Sequence, residues 1–148
     1  MSAFPARTRR STLLYAGVLA IFCLAGFFWL KMEHVPQAAI DVAKAFVSLL
    51  NSEQFSQAYE LTSKDASIGL SFGEFETIVH RQACKGDRVI GSSPFQSNGN
   101  RLRRWLSGVA TEPPEARVEF EGACLLAVTV THTRGDRWLV SRIASHAG

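Results

Sequence analysis

The chain has 148 residues and a formal net charge of +3 at pH 7. Arg7, Arg9 and Arg10 carry this excess, because the part of the chain from Lys31 onward holds 13 basic and 13 acidic side chains. A domain without net charge lacks the long-range field that attracts phosphate groups, so the composition excludes nucleic-acid binding by the domain as a whole. About 115 residues follow the N-terminal region, which is a common size for one globular domain.

The longest apolar stretch runs from Leu13 to Leu30 and contains no charged residue. A helix of this length is about 27 Å long, close to the roughly 30 Å of a bilayer hydrocarbon core. We therefore predict a transmembrane helix over residues 13–30. A cleaved signal peptide is the alternative. Its apolar region usually spans about 7–15 residues, and bulky side chains occupy residues 27–30, where cleavage needs small ones.

The basic tail, residues 1–12, sets the expected orientation. Cationic residues beside an apolar helix favour the cytoplasmic side, so Arg7, Arg9 and Arg10 are the topology signal. We predict a single-pass protein of the bacterial inner membrane with a cytoplasmic N-terminus. A juxtamembrane link over residues 31–36 then leads to a periplasmic domain over residues 37–148.

Three amphipathic helices are predicted after the link. Pro36 suits the first turn of the first helix, because its missing N–H would be unpaired there anyway. The second helix begins after a cap at residues 51–52. Ser71 and Glu74 form a capping box for the third, which we expect to end near Cys84. Apolar residues at helical spacing supply the inward faces: Ile40, Ala43, Phe46, Val47 and Leu50; Phe55, Ala58, Tyr59 and Leu61; and Phe72, Phe75, Ile78 and Val79.

From residue 87 the pattern changes to the alternation of strands. Residues 88–95 and 102–109 are predicted to pair as a hairpin, since Asn98 followed by Gly99 is a strong turn signal. The basic cluster Arg101, Arg103 and Arg104 beside Trp105 would then lie on an edge strand. Such charges guard an edge against pairing, and the functional alternative is contact with anionic headgroups or with an acidic partner.

Residues 117–131 are predicted to form one long strand with one apolar side. At about 3.3 Å per residue this strand would reach roughly 50 Å, so we expect a bulge or bend at Gly122. Residues 138–143 form the last strand, and residues 144–148 are expected to fray. The predicted fold is α+β: an N-terminal transmembrane helix, then three helices packed on a curved antiparallel sheet of about four strands.

Three segments carry a resemblance to a known fold: AKAFVSLLNSEQFSQAYELTS, SFGEFETIV and DRWLVSRI. Together they resemble the nuclear transport factor 2-like superfamily, in which a curved antiparallel sheet wraps helices into a cone. The resemblance covers nearly all of residues 36–143. With the N-terminal anchor, the layout also looks like the periplasmic assembly subunits of type IV secretion inner-membrane complexes.

The resemblance implies a cone floor where enzymes of the superfamily place Asp, Tyr or His. The candidates here come from scattered elements: Tyr59, Asp65, His80, Asp87 and His132. Tyr59 and His132 are the possible pocket residues. Tyr59 also fits a core aromatic with a satisfied hydroxyl, and His132 also fits an exposed strand end. The chain has no nucleophile elbow, phosphate loop or zinc signature, so we predict no catalysis, no metal and no cofactor.

Cys84 and Cys124 are candidates for a disulfide bond. An oxidising compartment would permit it, and closing a loop of about 40 residues would contribute roughly 4 kcal/mol in the chain-entropy model. Two buried free thiols are the alternative. We expect the domain to act as an interaction or scaffold module that binds other envelope proteins or itself. A ligand-binding or enzymatic pocket is the second hypothesis, which loses support if large apolar side chains fill the interior without convergent polar groups.

Overall fold

The computed structural model describes residues 7–82, 84–94, 96–133 and 137–146, with side chains described from Tyr15 onward. The chain is α+β. In chain order its elements are α1 Arg7–Lys31, β1 Glu33–His34, α2 Gln37–Asn51, α3 Phe55–Glu60, α4 Phe72–Arg81, β2 Gly86–Ser93, β3 Gln96–Ser97, α5 Asn98–Leu106, β4 Glu115–Gly122, β5 Leu125–His132 and β6 Trp138–His146. Contacts divide the chain into two units, here called unit 1 (residues 1–34 and 96–109) and unit 2 (residues 35–95 and 110–148).

The prediction of an N-terminal transmembrane helix is not supported. Within the described part of the chain, no helix combines the length and the apolar character that crossing a bilayer requires. The transmembrane part of the predicted fold is therefore corrected.

Unit 2 is built on a four-stranded antiparallel sheet with the order β2, β4, β5, β6. Alternate residues of β4 are buried, because successive side chains of a strand point to opposite faces. Val118 lies opposite Val128 on β5, and Phe120 lies opposite Leu126. All four side chains are fully buried or nearly so. The sheet thus presents a continuous apolar face to the core.

The helices of unit 2 contribute the other half of that core. Ile40, Phe46 and Val47 are buried from α2, as the helical spacing predicts. In α4 the capping residue Ser71 accepts a hydrogen bond from the Glu74 backbone N–H at 3.3 Å. The Glu74 carboxylate in turn accepts one from the Leu70 N–H at 2.9 Å. This reciprocal cap fixes the start of α4, whose last helical residue is Arg81 rather than one near Cys84.

The predicted hairpin between residues 88–95 and 102–109 is wrong. The second of these segments forms α5, and β2 pairs with β4 instead, with Val89 opposite Phe120. The Ser97 side chain accepts a hydrogen bond from the Asn100 N–H at 3.2 Å, so residues 97–100 form a helix cap rather than a hairpin turn. Serine is among the strongest capping residues, and here it outweighs the turn preference of the Asn-Gly pair.

The predicted long strand over residues 117–131 is also wrong. The chain reverses after Gly122, so β4 and β5 are neighbouring antiparallel strands. At the reversal the Ala123 N–H donates to the Lys85 carbonyl oxygen at 2.8 Å, and a Cβ at Gly122 would collide with that oxygen. The last strand runs to His146, which pairs with Leu125, instead of fraying after residue 143.

Unit 1 contains α1, α5 and a two-stranded sheet of β1 and β3. Asn98 joins the two helices: its N–H donates to the Met32 carbonyl at 3.0 Å, and its side-chain amide donates to the Trp29 carbonyl at 3.2 Å. Gly99 lies against Leu30, and a Cβ there would be 3.0 Å from the Leu30 carbonyl oxygen. The start of α5 is therefore held against the last turn of α1.

Candidate functional site

A cleft of about 290 Å³ lies in unit 2 beside the Cys84 side chain. Residues from α2, α3 and the segment before it, α4, the segment between α4 and β2, and β6 meet there. The lining side chains are Leu50, Asn51, Glu53, Phe55, Val79, His80, Gln82, Cys84, Lys85 and Ile143. Its volume is slightly below the roughly 300–1,000 Å³ of small-molecule sites.

Cys84 and Cys124 form a disulfide bond in the structure, with their Cα atoms 5.9 Å apart. The bond joins the segment after α4 to the turn between β4 and β5. The hydrogen bond from Ala123 to Lys85 lies directly beside it, so two links hold this corner of unit 2 together. The disulfide belongs to the wall of the cleft, because Cys84 is one of its lining residues.

Two amides of the cleft are already engaged within the protein. The Asn51 side-chain amide donates to the Gly86 carbonyl at 2.6 Å. The Gln82 side-chain oxygen accepts two hydrogen bonds of 2.9 Å, from the Ser145 N–H and from the Ser145 hydroxyl. These amides therefore stabilise unit 2 instead of converging on a ligand.

The titratable side chains of the cleft lie at its exposed rim. His80, Glu53 and Lys85 are each exposed. The His80 ring packs edge-on against Phe55, with 5.4 Å between ring centroids. An aromatic contact of this kind orients the imidazole, but exposure leaves these groups in a solvent-like environment. The described titratable groups of this cleft are thus exposed and not enclosed.

The structure does not bring Tyr59 and His132 together in one pocket. Tyr59 is half-buried in α3, where its hydroxyl donates to the Leu70 carbonyl at 3.0 Å. His132 lies at the end of β5, with its ring 4.9 Å from that of Trp138. Each ring packs against its own neighbours, and neither lines the cleft beside Cys84. Asp87 is exposed at the start of β2.

Asp65 is the acidic candidate with a shifted pKa. Burial would raise the pKa of this carboxyl, but its hydrogen bonds outweigh that effect and lower the pKa below the ordinary value. The Ser63 hydroxyl donates to Asp65 at 2.6 Å, and the Ser67 N–H donates at 2.8 Å. These bonds order the turn before Ile68, so Asp65 has a structural role. Among the described residues, no three His, Cys, Asp or Glu side chains group in a way that could hold a metal ion.

The largest exposed apolar region of the described residues lies on α1. Tyr15 is 76% exposed and Phe22 is 72% exposed, values that are unusual for side chains of this size. We call this region the α1 surface: Tyr15, Val18, Leu19, Ile21, Phe22, Leu24, Phe27, Phe28 and Trp29. Exposed apolar surfaces of this kind are typical of interaction sites.

The predicted basic cluster lies on a helix instead of an edge strand. Arg103 is exposed on α5 and donates to the Asn100 side-chain oxygen at 2.9 Å. Arg101 approaches the His34 ring nitrogen at 3.1 Å, and Arg104 is half-buried. The three predicted topology residues Arg7, Arg9 and Arg10 lie in α1, outside the described side chains.

Comparison of the chain with protein-family models, with curated proteins and with solved structures finds no match. The resemblance to the nuclear transport factor 2-like superfamily stays a prediction. Sequence reasoning missed the cleft beside Cys84, because its lining comes from elements up to 93 residues apart, from Leu50 to Ile143. Helix α5 and the turn after it also expose apolar side chains, and these have a signal in the sequence, namely apolar residues at positions 102, 105, 106 and 109.

Proposed function

We propose that this chain is an interaction protein in which unit 2 is a folded scaffold module and the α1 surface binds a protein partner. The partner is another envelope protein or a second copy of the chain. The exposed α1 surface is the single observation that carries this proposal. Water contact with so many large apolar side chains is unfavourable by about 25 cal/mol per Å², and a protein partner would remove that contact.

The interior of unit 2 supports a scaffold over an enzyme. Phe46 and Phe75 are fully buried with their ring centroids 6.2 Å apart. Trp138 is also buried, and Phe55 packs against the same core. Large apolar side chains thus fill the space that a ligand pocket would need, and the cleft beside Cys84 has its two amides engaged internally.

An extracytoplasmic location is part of the proposal. Disulfide bonds persist in oxidising compartments and are rare where thiols are kept reduced. The bond between Cys84 and Cys124 supports a periplasmic or otherwise oxidising setting for unit 2. A fold of the nuclear transport factor 2 type is also part of the proposal, supported by the packing of α2 on an antiparallel sheet, of α3 on α2 and of α4 on α3.

Site-specific photocrosslinking in living cells tests this function. A photoreactive amino acid at Phe22 should yield a discrete adduct, either with one other protein or with a second copy. The same amino acid at Gln57, an exposed residue of α3, is the matched control and should yield none. If both positions give no adduct, or the same diffuse set of adducts, the α1 surface is not the binding site and the proposal fails.

A further inference from the structure

Helix α5 carries an apolar stripe that faces solvent. Leu102, Trp105 and Leu106 are spaced three and four residues apart, which places them on one side of an α-helix. Trp105 is 65% exposed and Leu106 is 72% exposed. The stripe continues into Val109: Gly108 adopts a positive φ of 68° and the Val109 N–H donates to the Arg104 carbonyl at 2.9 Å. This is the usual way in which a glycine ends a helix.

Basic residues flank the stripe. At about 100° per residue, Arg101 and Arg103 fall on the two sides of the apolar residues, and Arg104 falls on the far side. Residues 96–109 contain no aspartate or glutamate. The helix therefore combines a narrow apolar face with positive charge at its borders, which is the pattern of helices that lie in the plane of a lipid interface.

The helix is held in place at its N-terminal end. Ser97 caps it, and Asn98 bonds to the carbonyls of Met32 and Trp29. Strand β3 lies directly before α5 in the chain, and its residue Gln96 pairs with His34 of β1. The stripe is thus presented by an ordered helix, and binding would not first require the segment to fold.

We propose that α5 docks on an anionic lipid surface, with Trp105 and Leu106 at the boundary between headgroups and acyl chains and the exposed Arg103 at the headgroups. Charge complementarity favours this occupant, because a segment with three arginines and no acidic residue matches a phosphate-rich plane. Exposed tryptophan is also a side chain that prefers this boundary. The inference adds a second surface to the protein and does not rest on the α1 surface binding a protein.

An environment-sensitive fluorophore on Leu106→Cys tests the proposal in the full-length chain. Cys23→Ser removes the free thiol, so labelling under non-reducing conditions is confined to position 106. Vesicles with about one-third phosphatidylglycerol should shift the emission to the blue. Neutral phosphatidylcholine vesicles should shift it far less, and high salt should weaken the effect. A fluorophore at position 106 reports α5 itself, whichever other surface reaches the vesicle.

Charge variants supply the matched controls. Arg103→Glu changes the charge by two units, and each unit contributes about fivefold to the affinity for an anionic surface. The lipid concentration that gives the half-maximal shift should therefore rise about 25-fold. Arg103→Lys keeps the charge and should retain the shift. Arg142→Glu, an exposed arginine of β6 in unit 2, makes the same change in net charge and should have no effect. A probe that is silent with phosphatidylglycerol vesicles would overturn the proposal. So would equal shifts in both lipids, or a shift that only an acidic protein produces.

Discussion

The two units use similar side chains in opposite ways. In unit 2, Phe46 and Phe75 are fully buried, whereas in unit 1 Phe22 and Phe28 are mostly exposed. Helix α2 has polar residues on one side and buries the other against the sheet, so unit 2 supplies its own partner for its apolar face. The described part of α1 is apolar on all sides. Apolar content therefore identifies a core only where the chain also provides something to pack against.

The largest effect is expected from truncating the core aromatic residue Phe75. Phe75→Ala removes contacts with Phe46 and Tyr59 and should lower the free energy of unfolding by about 3–5 kcal/mol. Urea unfolding followed by near-ultraviolet circular dichroism measures the change. Phe28→Ala on the α1 surface is the control and should stay within about 0.5 kcal/mol. Equal losses for both variants would erase the distinction between the units.

Loss of the disulfide should rank next. Replacing Cys84 and Cys124 by serine frees a loop with a sequence separation of 40 residues, which costs roughly 2–4 kcal/mol of stability. The same urea titration measures it. Alkylation without reductant followed by mass spectrometry gives an independent check, since only Cys23 should be labelled in the wild-type protein. Labelling at all three cysteines would show that the bond is absent.

A pair of glycines sharpens the comparison within the sheet. Gly122→Ala places a Cβ against the Lys85 carbonyl and 2.9 Å from the Gly86 Cα, so we expect a loss of about 1–3 kcal/mol through overpacking. Gly91→Ala on β2 meets no atom within 4 Å and should be neutral or slightly stabilising. Thermal unfolding gives the melting temperatures of both variants. An unchanged melting temperature for Gly122→Ala would contradict the close approach of Gly122 to the Lys85 carbonyl.

The smallest expected effect is a pH dependence at Asp65. Its pKa is lowered in the folded protein, so its contribution is present above the unfolded pKa and disappears as the pH falls through the folded value. When the pH is lowered from about 5 to about 2, the melting temperature of the Asp65→Asn variant should therefore fall less than that of the wild-type protein. Circular dichroism melts across that range test the sign. A variant that loses more stability than wild type on acidification would show that another group dominates.

Periodicity predicted the elements whose signals are local. The buried faces of α2 and α4 follow from helical spacing, except that Phe72 of α4 is 40% exposed. The cap at Ser71 follows from its distance to Glu74. The buried side of β4 follows from alternation, whereas β5, after the chain reverses, buries five consecutive residues, 126–130. The reversal itself depends on the approach of Gly122 to Lys85, two residues 37 positions apart, which no local pattern records.

The candidate site was less accessible to prediction. The pairing of Cys84 with Cys124 was one of two open alternatives, while the cleft beside it requires side chains from several elements to meet. The three arginines were found as a cluster, but on an edge strand, because the Asn-Gly signal suits a hairpin turn as well as a capped helix start. The hydrogen bond from the Asn100 N–H to Ser97 and the pairing of β2 with β4 distinguish these two conformations.

The route of the backbone between the units has a practical consequence. After β2 the chain leaves unit 2, forms β3 and α5 in unit 1, and returns for β4. A fragment that begins at Val35 would therefore carry residues 96–109 while lacking Trp29, Met32 and His34, with which they pair. Expressing unit 2 in isolation requires an internal excision that splices residue 95 to Ala110 through a short linker, in addition to an N-terminal cut.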